Sequence, residues 1–215
     1  MRFKDREDAG RRLASLLQAY QGKQGVVYAL PRGGVPVGVE VAHALNMPLD
    51  LIIARKIGHP DNPEYAIAAV TEDGELATNP QEVEGVDHAW FRQAVAVQQR
   101  EAQQRHKRYL GNRAAAAIAG RVAIVVDDGI ATGLTITAAV MQARRRNPAR
   151  LVLAVPVAPR DTADRLSRMV DDFVAVGTPE YFLGAVGAYY DDFRQVTDEE
   201  VVELLAGGRA TGTVT

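Results

Sequence analysis

The sequence contains no cysteine and only one tryptophan among its 215 residues. Without thiols, the chain cannot form disulfides, use a thiolate nucleophile or bind zinc through sulfur. Its 25 Lys and Arg residues nearly balance 27 Asp and Glu, so net charge gives no general attraction to nucleic acid. No apolar run is long enough to span a membrane, and the first ten residues contain no apolar signal-peptide segment. We therefore expect a cytoplasmic protein with neither a membrane nor a nucleic acid as partner.

The residues that are present are typical of an α/β protein. Hydrophobic residues make up 47% of the chain, and the length suits one domain over residues 1–215. The apolar run Val26–Leu30 is followed by a helix opened by Pro36, and then by a second apolar run, Leu49–Ala54. This strand–helix–strand order predicts a parallel sheet. Further buried strands are predicted at Val122–Val126, Leu151–Val157 and Phe173–Val176.

The most informative segment is Arg121–Thr135, RVAIVVDDGIATGLT. Its apolar strand ends in Asp127 and Asp128, and a loop containing Gly129 and Gly133 then leads into a helix. Backbone amides at a helix start, with glycines that allow close approach, form an anion site. The two carboxylates can accept hydrogen bonds from sugar hydroxyls or bind hydrated Mg²⁺. The pattern therefore predicts a sugar-phosphate site, the alternative being an ordinary strand–helix turn with two solvated acids.

This segment resembles the phosphoribosyl-diphosphate (PRPP) signature of type I phosphoribosyltransferases, in which two acids follow a strand and precede Ala-Thr-Gly-x-Thr. The resemblance implies a central parallel sheet with helices on both faces, a mobile hairpin-and-helix insertion (57–120) and a small C-terminal hood (178–215). It also implies transfer of 5-phosphoribosyl from PRPP to a nitrogenous base in a salvage reaction, with Mg²⁺ as cofactor and release of pyrophosphate. The expected partners are PRPP, pyrophosphate, a nucleobase-like acceptor and a second copy of the chain in a homodimer.

The resemblance also assigns roles to residues of the signature. Asp127 and Asp128 would be catalytic, holding the ribose hydroxyls directly or through Mg²⁺. The loop that would bind substrate through its 5′-phosphate consists of Gly129, Ile130, Ala131, Thr132, Gly133, Leu134 and Thr135. Relatives that act on 6-oxopurines have an aspartate at the position of Ala131, and a glycine is most common at the position of Leu134. These departures put a hypoxanthine or guanine acceptor in doubt without establishing adenine.

A second loop, Pro31-Arg32-Gly33-Gly34, follows the first predicted strand. Glycines allow backbone amides to face a dianion, and Arg32 supplies a forked cation. The resemblance implies that the loop binds pyrophosphate, with Arg32 catalytic and Pro31, Gly33 and Gly34 in contact with substrate. Relatives often have a non-proline cis peptide here, which would be the Pro31–Arg32 bond. A dinucleotide loop is not favoured, because the spacing differs from G-x-G-x-x-G.

Arg55 and Lys56 follow the second predicted strand, at the edge where α/β sheets bind ligands. The resemblance implies that they begin the mobile active-site loop and contact pyrophosphate, and a solvated turn is the alternative. A hairpin is predicted around Glu72-Asp73-Gly74, followed by a long polar helix over residues 87–109. We interpret the basic residues of this helix as a solvated face.

The C-terminal region is unusually aromatic for a chain with 6% Phe, Trp and Tyr. Its pattern loosely resembles the hood of the 6-oxopurine enzymes. Tyr189, Tyr190 and Phe193 are therefore predicted to stack on the base, and Asp191 or Asp192 to contact its amino groups or help hold Mg²⁺. The alternative is that these rings form a small core beneath a loop.

The sequence also bears on two functions other than transferase activity. A non-catalytic PRPP- or nucleotide-sensing regulator would keep the ligand site, but it would need a basic nucleic-acid face that the composition does not favour. A serine hydrolase is excluded because the only serines, Ser15 and Ser167, lie in helical patterns and no G-x-S-x-G motif is present.

Overall fold

A five-stranded parallel sheet and a three-stranded antiparallel sheet organise the computed structural model, which describes residues 1–111, 113 and 115–207. The strands are β1 (Gly25–Ala29), β2 (Leu49–Leu51), β3 (Ala54–His59), β4 (Asn62–Thr71), β5 (Leu76–Thr78), β6 (Val122–Val126), β7 (Arg150–Val157) and β8 (Asp172–Gly177). The α-helices are α1 (Arg6–Leu16), α2 (Gly34–Leu45), α3 (Pro80–Glu84), α4 (His88–Leu110), α5 (Leu134–Arg145), α6 (Arg160–Ser167) and α7 (Asp198–Gly207). The parts of the predicted insertion and hood at 112, 114 and 208–215 lie outside the described residues.

The parallel sheet has the order β2-β1-β6-β7-β8 and is covered by helices on both faces. Alternate residues of β1 separate the two cores: Val27 packs with α1, α2 and α7, whereas Val26 and Tyr28 pack with α5 and α6. The apolar positions Ile136 and Val140 of α5 are buried against the sheet, as their helical spacing predicts. The predicted sheet with helices on both faces is confirmed.

The antiparallel sheet has the order β3-β4-β5. Its β4–β5 connection turns at Gly74, which has a φ of 93°, so the predicted hairpin is confirmed. The Pro/Gly-rich stretch 57–64, where the resemblance places the start of the mobile active-site loop, is strand-paired: β3 and β4 pair through it with irregular register at Gly58. A Cβ at Gly58 would lie 2.1 Å from the Pro63 carbonyl oxygen. Here the glycine permits close strand pairing instead of marking a loop.

The apolar run Leu49–Ala54, predicted as one strand, is divided between the two sheets. After β2 ends, the amide of Ile52 donates to the Ala29 carbonyl and that of Ile53 donates to the Glu72 side chain. Ala54 then begins β3 in the second sheet. Residues 49–53 are all buried, but the hydrogen bonds of the run pass from one sheet to the other. Burial alone therefore does not reveal the break.

The predicted long helix is confirmed as α4, whose start is capped by the Asp87 side chain accepting from the Trp90 amide at 2.7 Å. The helix buries only Phe91, Ala102, Tyr109 and Leu110. None of the helices in the described ranges combines the length and the apolar character needed to cross a membrane. The predicted insertion thus contains β4, β5, α3, α4 and the second half of β3, and its mobility stays a prediction.

A buried carboxylate links this helix to the rest of the molecule. Glu72 is 5% exposed; its Oε2 accepts from the Ile53 amide at 2.8 Å and its Oε1 from Gln142 Nε2 at 2.9 Å. Nδ1 of His106, on α4, lies 3.6 Å from the same Oε1. The neighbouring Glu72 carboxylate raises the pKa of His106 against the opposing effect of burial.

We expect this contact to make stability depend on pH. Because the folded-state pKa of His106 is raised, its stabilising effect is complete below the unfolded pKa of roughly 6.5 and is lost as pH rises through the folded value. The free energy of unfolding lost in His106→Gln should therefore be larger at pH 6 than at pH 9. Urea denaturation at pH 6 and at pH 9 measures this loss of unfolding free energy. His88→Gln, which changes an exposed histidine of the same helix, is the control. A loss that is equal at both values would contradict the assignment.

Candidate active site

The carboxyl ends of the adjacent strands β1 and β6 open into a cleft of about 410 Å³. Most of the residues predicted for the site line this cleft: Pro31, Arg55, Lys56, Asp127, Asp128, Gly129, Ile130, Ala131, Thr132, Gly133 and Thr135. The structure thus brings the two strand-end loops together with the start of β3. Such a strand-end crevice is the usual ligand position in open α/β sheets.

The acid pair lies where the loops meet. Asp127 Oδ1 accepts from the Asp128 amide at 2.9 Å, and Asp128 Oδ2 accepts from Arg6 Nε at 2.8 Å. Burial raises the pKa of both carboxyls, and the charge of Asp128 raises that of Asp127 further, to well above its ordinary value. A cation or hydroxyl donors in the cleft would favour the ionised forms.

The loop after the acid pair ends at the start of α5. Gly133 precedes this helix with a φ of 82°, a conformation that favours glycine. Arg165 Nη2 on α6 donates to the Thr132 carbonyl at 3.0 Å, and Thr162 Oγ1 donates to the Ala131 carbonyl at 3.4 Å. Side chains of α6 therefore bind carbonyls of the loop. The start of α5 offers its backbone amides to an anion. Leu134 packs instead against Ala69 and Ala77 of the antiparallel sheet and against Ala138 of α5.

The Pro31–Gly34 loop contacts the acids directly. Its Pro31–Arg32 peptide is cis, which confirms the prediction. A Cβ at Gly33 would lie 2.0 Å from Asp128 Oδ2, and one at Gly34 would lie 2.9 Å from Asp127 Cα. The two glycines therefore make room for the acid pair, a steric role that the sequence pattern did not predict.

The basic residues divide into two groups. Arg32 does not line the cleft; its Nη1 lies 3.4 Å from Asp198 Oδ1 at the start of α7. Arg55 and Lys56 do line it, but from strand β3. Arg105 of α4 lies beside them and was missed, because its helix face was assigned to solvent. Burial, and then the charge of Arg105, lower the pKa of Arg55.

No signal in the sequence identified Arg105, because its position depends on how α4 packs against β3. Arg55 Nε donates to Gln98 Oε1 at 3.2 Å, so one face of α4 lies against β3. Arg105 is seven residues after Gln98 and therefore shares that face.

The prediction that Tyr189 and Tyr190 stack on a base is contradicted by their burial, at 4% and 3% exposure. The Tyr190 ring centroid lies 5.2 Å from that of Phe3 and 4.9 Å from that of Phe193. The rings form the small core that was the alternative to stacking, because the N-terminal Phe3 pairs with Tyr190. Asp191 is exposed and paired with Arg2, outside the cleft. Val186 lines the cleft in their place.

The acid pair suits a metal carried by a substrate better than a resident one. Within the described ranges, no cluster of three or more His, Asp or Glu side chains could hold a metal ion. Mg²⁺ is commonly bound by one or two carboxylates together with substrate phosphates and water. One oxygen of each acid is held by the protein, which leaves Asp127 Oδ2 and Asp128 Oδ1 for such an ion.

A family model described as the phosphoribosyl transferase domain matches residues 3–191. The chain belongs to this family, and the predicted type I phosphoribosyltransferase fold is confirmed.

Particular relatives agree with this assignment. A Mycobacterium tuberculosis protein, found in the strains H37Rv and CDC 1551, is 44% identical over 205 residues, which cover 94% of this chain and 46% of that protein. Its name assigns it as a phosphoribosyl transferase only provisionally, and the chain spans about half of its length. The crystal structure of TT1426 from Thermus thermophilus is 43% identical, with a TM-score of 0.80 over 96% of this chain and 99% of that chain.

Proposed function

We propose that the chain binds PRPP and transfers its 5-phosphoribosyl group to a nitrogen of a nucleobase-like acceptor, releasing pyrophosphate. The observation that carries the proposal is that one cleft holds the acid pair, the loop at the start of α5, and the cations Arg55 and Lys56. Anion-binding amides, hydroxyl-binding carboxylates and diphosphate-binding cations are the three chemistries that PRPP requires.

Each part of the cleft has a role in this reaction. The Ile130–Thr135 loop anchors the 5′-phosphate, and Asp127 and Asp128 accept from the ribose hydroxyls. Cleavage of the bond to pyrophosphate develops positive charge on the ribose ring, as in glycoside cleavage, and the nearby carboxylates stabilise that charge. Arg55, Lys56 and Arg105 stabilise the negative charge of the leaving pyrophosphate. Mg²⁺, when bound, would neutralise diphosphate charge and would be held by the free oxygens of the acid pair.

We expect an anion at the Ile130–Thr135 loop even without substrate. The start of α5, with Thr132 and Thr135, offers amides and hydroxyls to sulfate or phosphate. A crystal grown in ammonium sulfate should therefore show tetrahedral density against this loop. Water alone at that position, in a crystal that binds sulfate elsewhere, would count against the 5′-phosphate assignment.

The function is tested by binding followed by turnover. Calorimetry with PRPP and Mg²⁺ measures binding, and pyrophosphate release is then followed across a panel of purine and pyrimidine bases. Release with one base establishes the transferase. PRPP binding with no release from any base would instead favour a PRPP-sensing regulator, and no PRPP binding would refute both.

Among the bases, we expect hypoxanthine and guanine to be poor acceptors. Ala131 lacks the carboxylate that relatives acting on 6-oxopurines place beside the base. Initial rates of pyrophosphate release at equal base concentrations measure the preference. Guanine turnover near the enzyme median of about 10 s⁻¹ would show that Ala131 does not limit the acceptor. A homodimer and a salvage role remain part of the proposal.

A further inference from the structure

Arg6, the first residue of α1, places its guanidinium between the acid pair and the C-terminal region. Its side chain is only 10% exposed. Nε donates to Asp128 Oδ2 at 2.8 Å, and Nη1 donates to the Arg194 carbonyl at 2.8 Å. The guanidinium carbon also lies 3.9 Å from the centroid of the Phe193 ring. Three separate contacts therefore fix one buried cation, and each contact uses a different part of it.

The N-terminus is held so that Arg6 reaches this position. The Phe3 amide donates to the Tyr189 carbonyl at 2.8 Å, and the Asp191 amide donates back to Phe3 at 2.8 Å. Asp5 then caps α1 by accepting from the Asp8 amide at 2.7 Å. The start of α1 is therefore fixed against the segment 190–194, which we call the closing segment.

The closing segment has a second link to the acid pair. The Tyr190 hydroxyl donates to the Asp128 carbonyl at 2.6 Å, while Arg6 holds the carboxylate of the same residue. Asp128 is thus held at its backbone and at its side chain by groups that contact each other through Phe193. A shift of the closing segment would move the Asp128 carboxylate.

We propose that Arg6 is a positioning residue of the PRPP site, which fixes the Asp128 carboxylate and couples it to the closing segment. The consequence, which rests on the proposed function, is that PRPP affinity depends on Arg6 and Phe193. The Phe193 ring itself does not line the cleft. One carboxylate oxygen of Asp128 binds Arg6. This contact fixes the orientation of the other oxygen, which remains available to the ligand.

The first experiment is a double-variant cycle read as PRPP affinity by calorimetry with Mg²⁺. We expect Arg6→Gln to weaken PRPP binding about tenfold, a loss of about 1.4 kcal/mol. Arg6→Lys should recover part of this loss, because it restores the positive charge but not the planar guanidinium with its several donors. As a single change, Phe193→Leu should also weaken PRPP binding. Added to Arg6→Gln, it should weaken binding by less than a further twofold. Arg11→Gln, on the same helix with a 55% exposed side chain, should leave affinity unchanged.

The cycle tests whether Phe193 affects PRPP binding through Arg6. Losses that share one pathway through Asp128 are non-additive, whereas two independent structural defects add. Equal effects of Phe193→Leu in both backgrounds, or an Arg6→Gln variant that binds like the wild type, would overturn the inference. Thermal midpoints of all variants show whether a loss follows unfolding.

The second experiment does not depend on PRPP. In the free protein, Arg6→Gln should speed hydrogen exchange at the amides of 127–129 and of the closing segment at least tenfold relative to Arg11→Gln. Unchanged exchange at 127–129 would overturn the inference. If the wild type fails to bind PRPP, the proposed function falls, and this exchange measurement still decides the role of Arg6.

Discussion

Replacing both acids, in an Asp127→Asn/Asp128→Asn variant, is expected to weaken PRPP binding at least hundredfold. Hydrogen bonds to charged groups contribute about 1.5–3 kcal/mol each, and a hundredfold loss corresponds to about 2.7 kcal/mol. The amides keep the shape of the acids but lose the charge that attracts Mg²⁺ and accepts hydrogen bonds from the ribose hydroxyls. Calorimetry in the presence of Mg²⁺ measures the affinity.

The fold should survive this change. Both carboxyls are half-buried with raised pKa values, so neutral side chains at these positions remove an unfavourable desolvation of charge. Loss of the Arg6 partner acts in the opposite direction. A matched variant, Asp161→Asn/Asp164→Asn, changes two exposed acids of α6 and should bind as the wild type does. Unchanged PRPP affinity in the Asp127/Asp128 variant would refute the assignment of these residues to ribose and metal.

The parts of the site that were predictable are those encoded locally. The strand β6, its two acids, the glycine loop and the start of α5 are contiguous in sequence. Their order fixes where the carboxylates and amides lie, because a parallel strand ends at the ligand edge of the sheet. The βαβ unit of β1, α2 and β2 was predictable for the same reason.

The parts that were missed depend on contacts between distant residues. Arg6 reaches Asp128 across 122 positions, and nothing near Arg6 in sequence distinguishes it from the other arginines of α1. The burial of Tyr190 similarly requires Phe3. The residues near Tyr190 in sequence leave its ring available for stacking. Phe3, near the opposite end of the described chain, covers it instead. The Arg32 side chain is likewise turned from the cleft by Asp198 of α7.

A single methyl group added at Gly33 is the second change with a large expected effect. The backbone there has a φ of −62°, which alanine adopts without strain. The added Cβ would lie 2.0 Å from Asp128 Oδ2 and 2.7 Å from its Cγ, so the carboxylate must move. Arg6 holds the same oxygen at 2.8 Å, and the displaced carboxylate would lose this contact as well.

We therefore expect Gly33→Ala to weaken PRPP binding by one to two orders of magnitude, while the protein still folds. The overpacking cost, about 1–3 kcal/mol in a well-packed site, is limited because the displaced atoms end a side chain. Gly85→Ala is the matched control, since its φ is −81° and its Cβ would have no described neighbour nearer than 3.5 Å. Calorimetry and thermal denaturation of both variants separate affinity from stability. If Gly33→Ala bound PRPP as tightly as Gly85→Ala, the Asp128 carboxylate would not need its observed position against this loop, and its role in holding the ribose would be wrong.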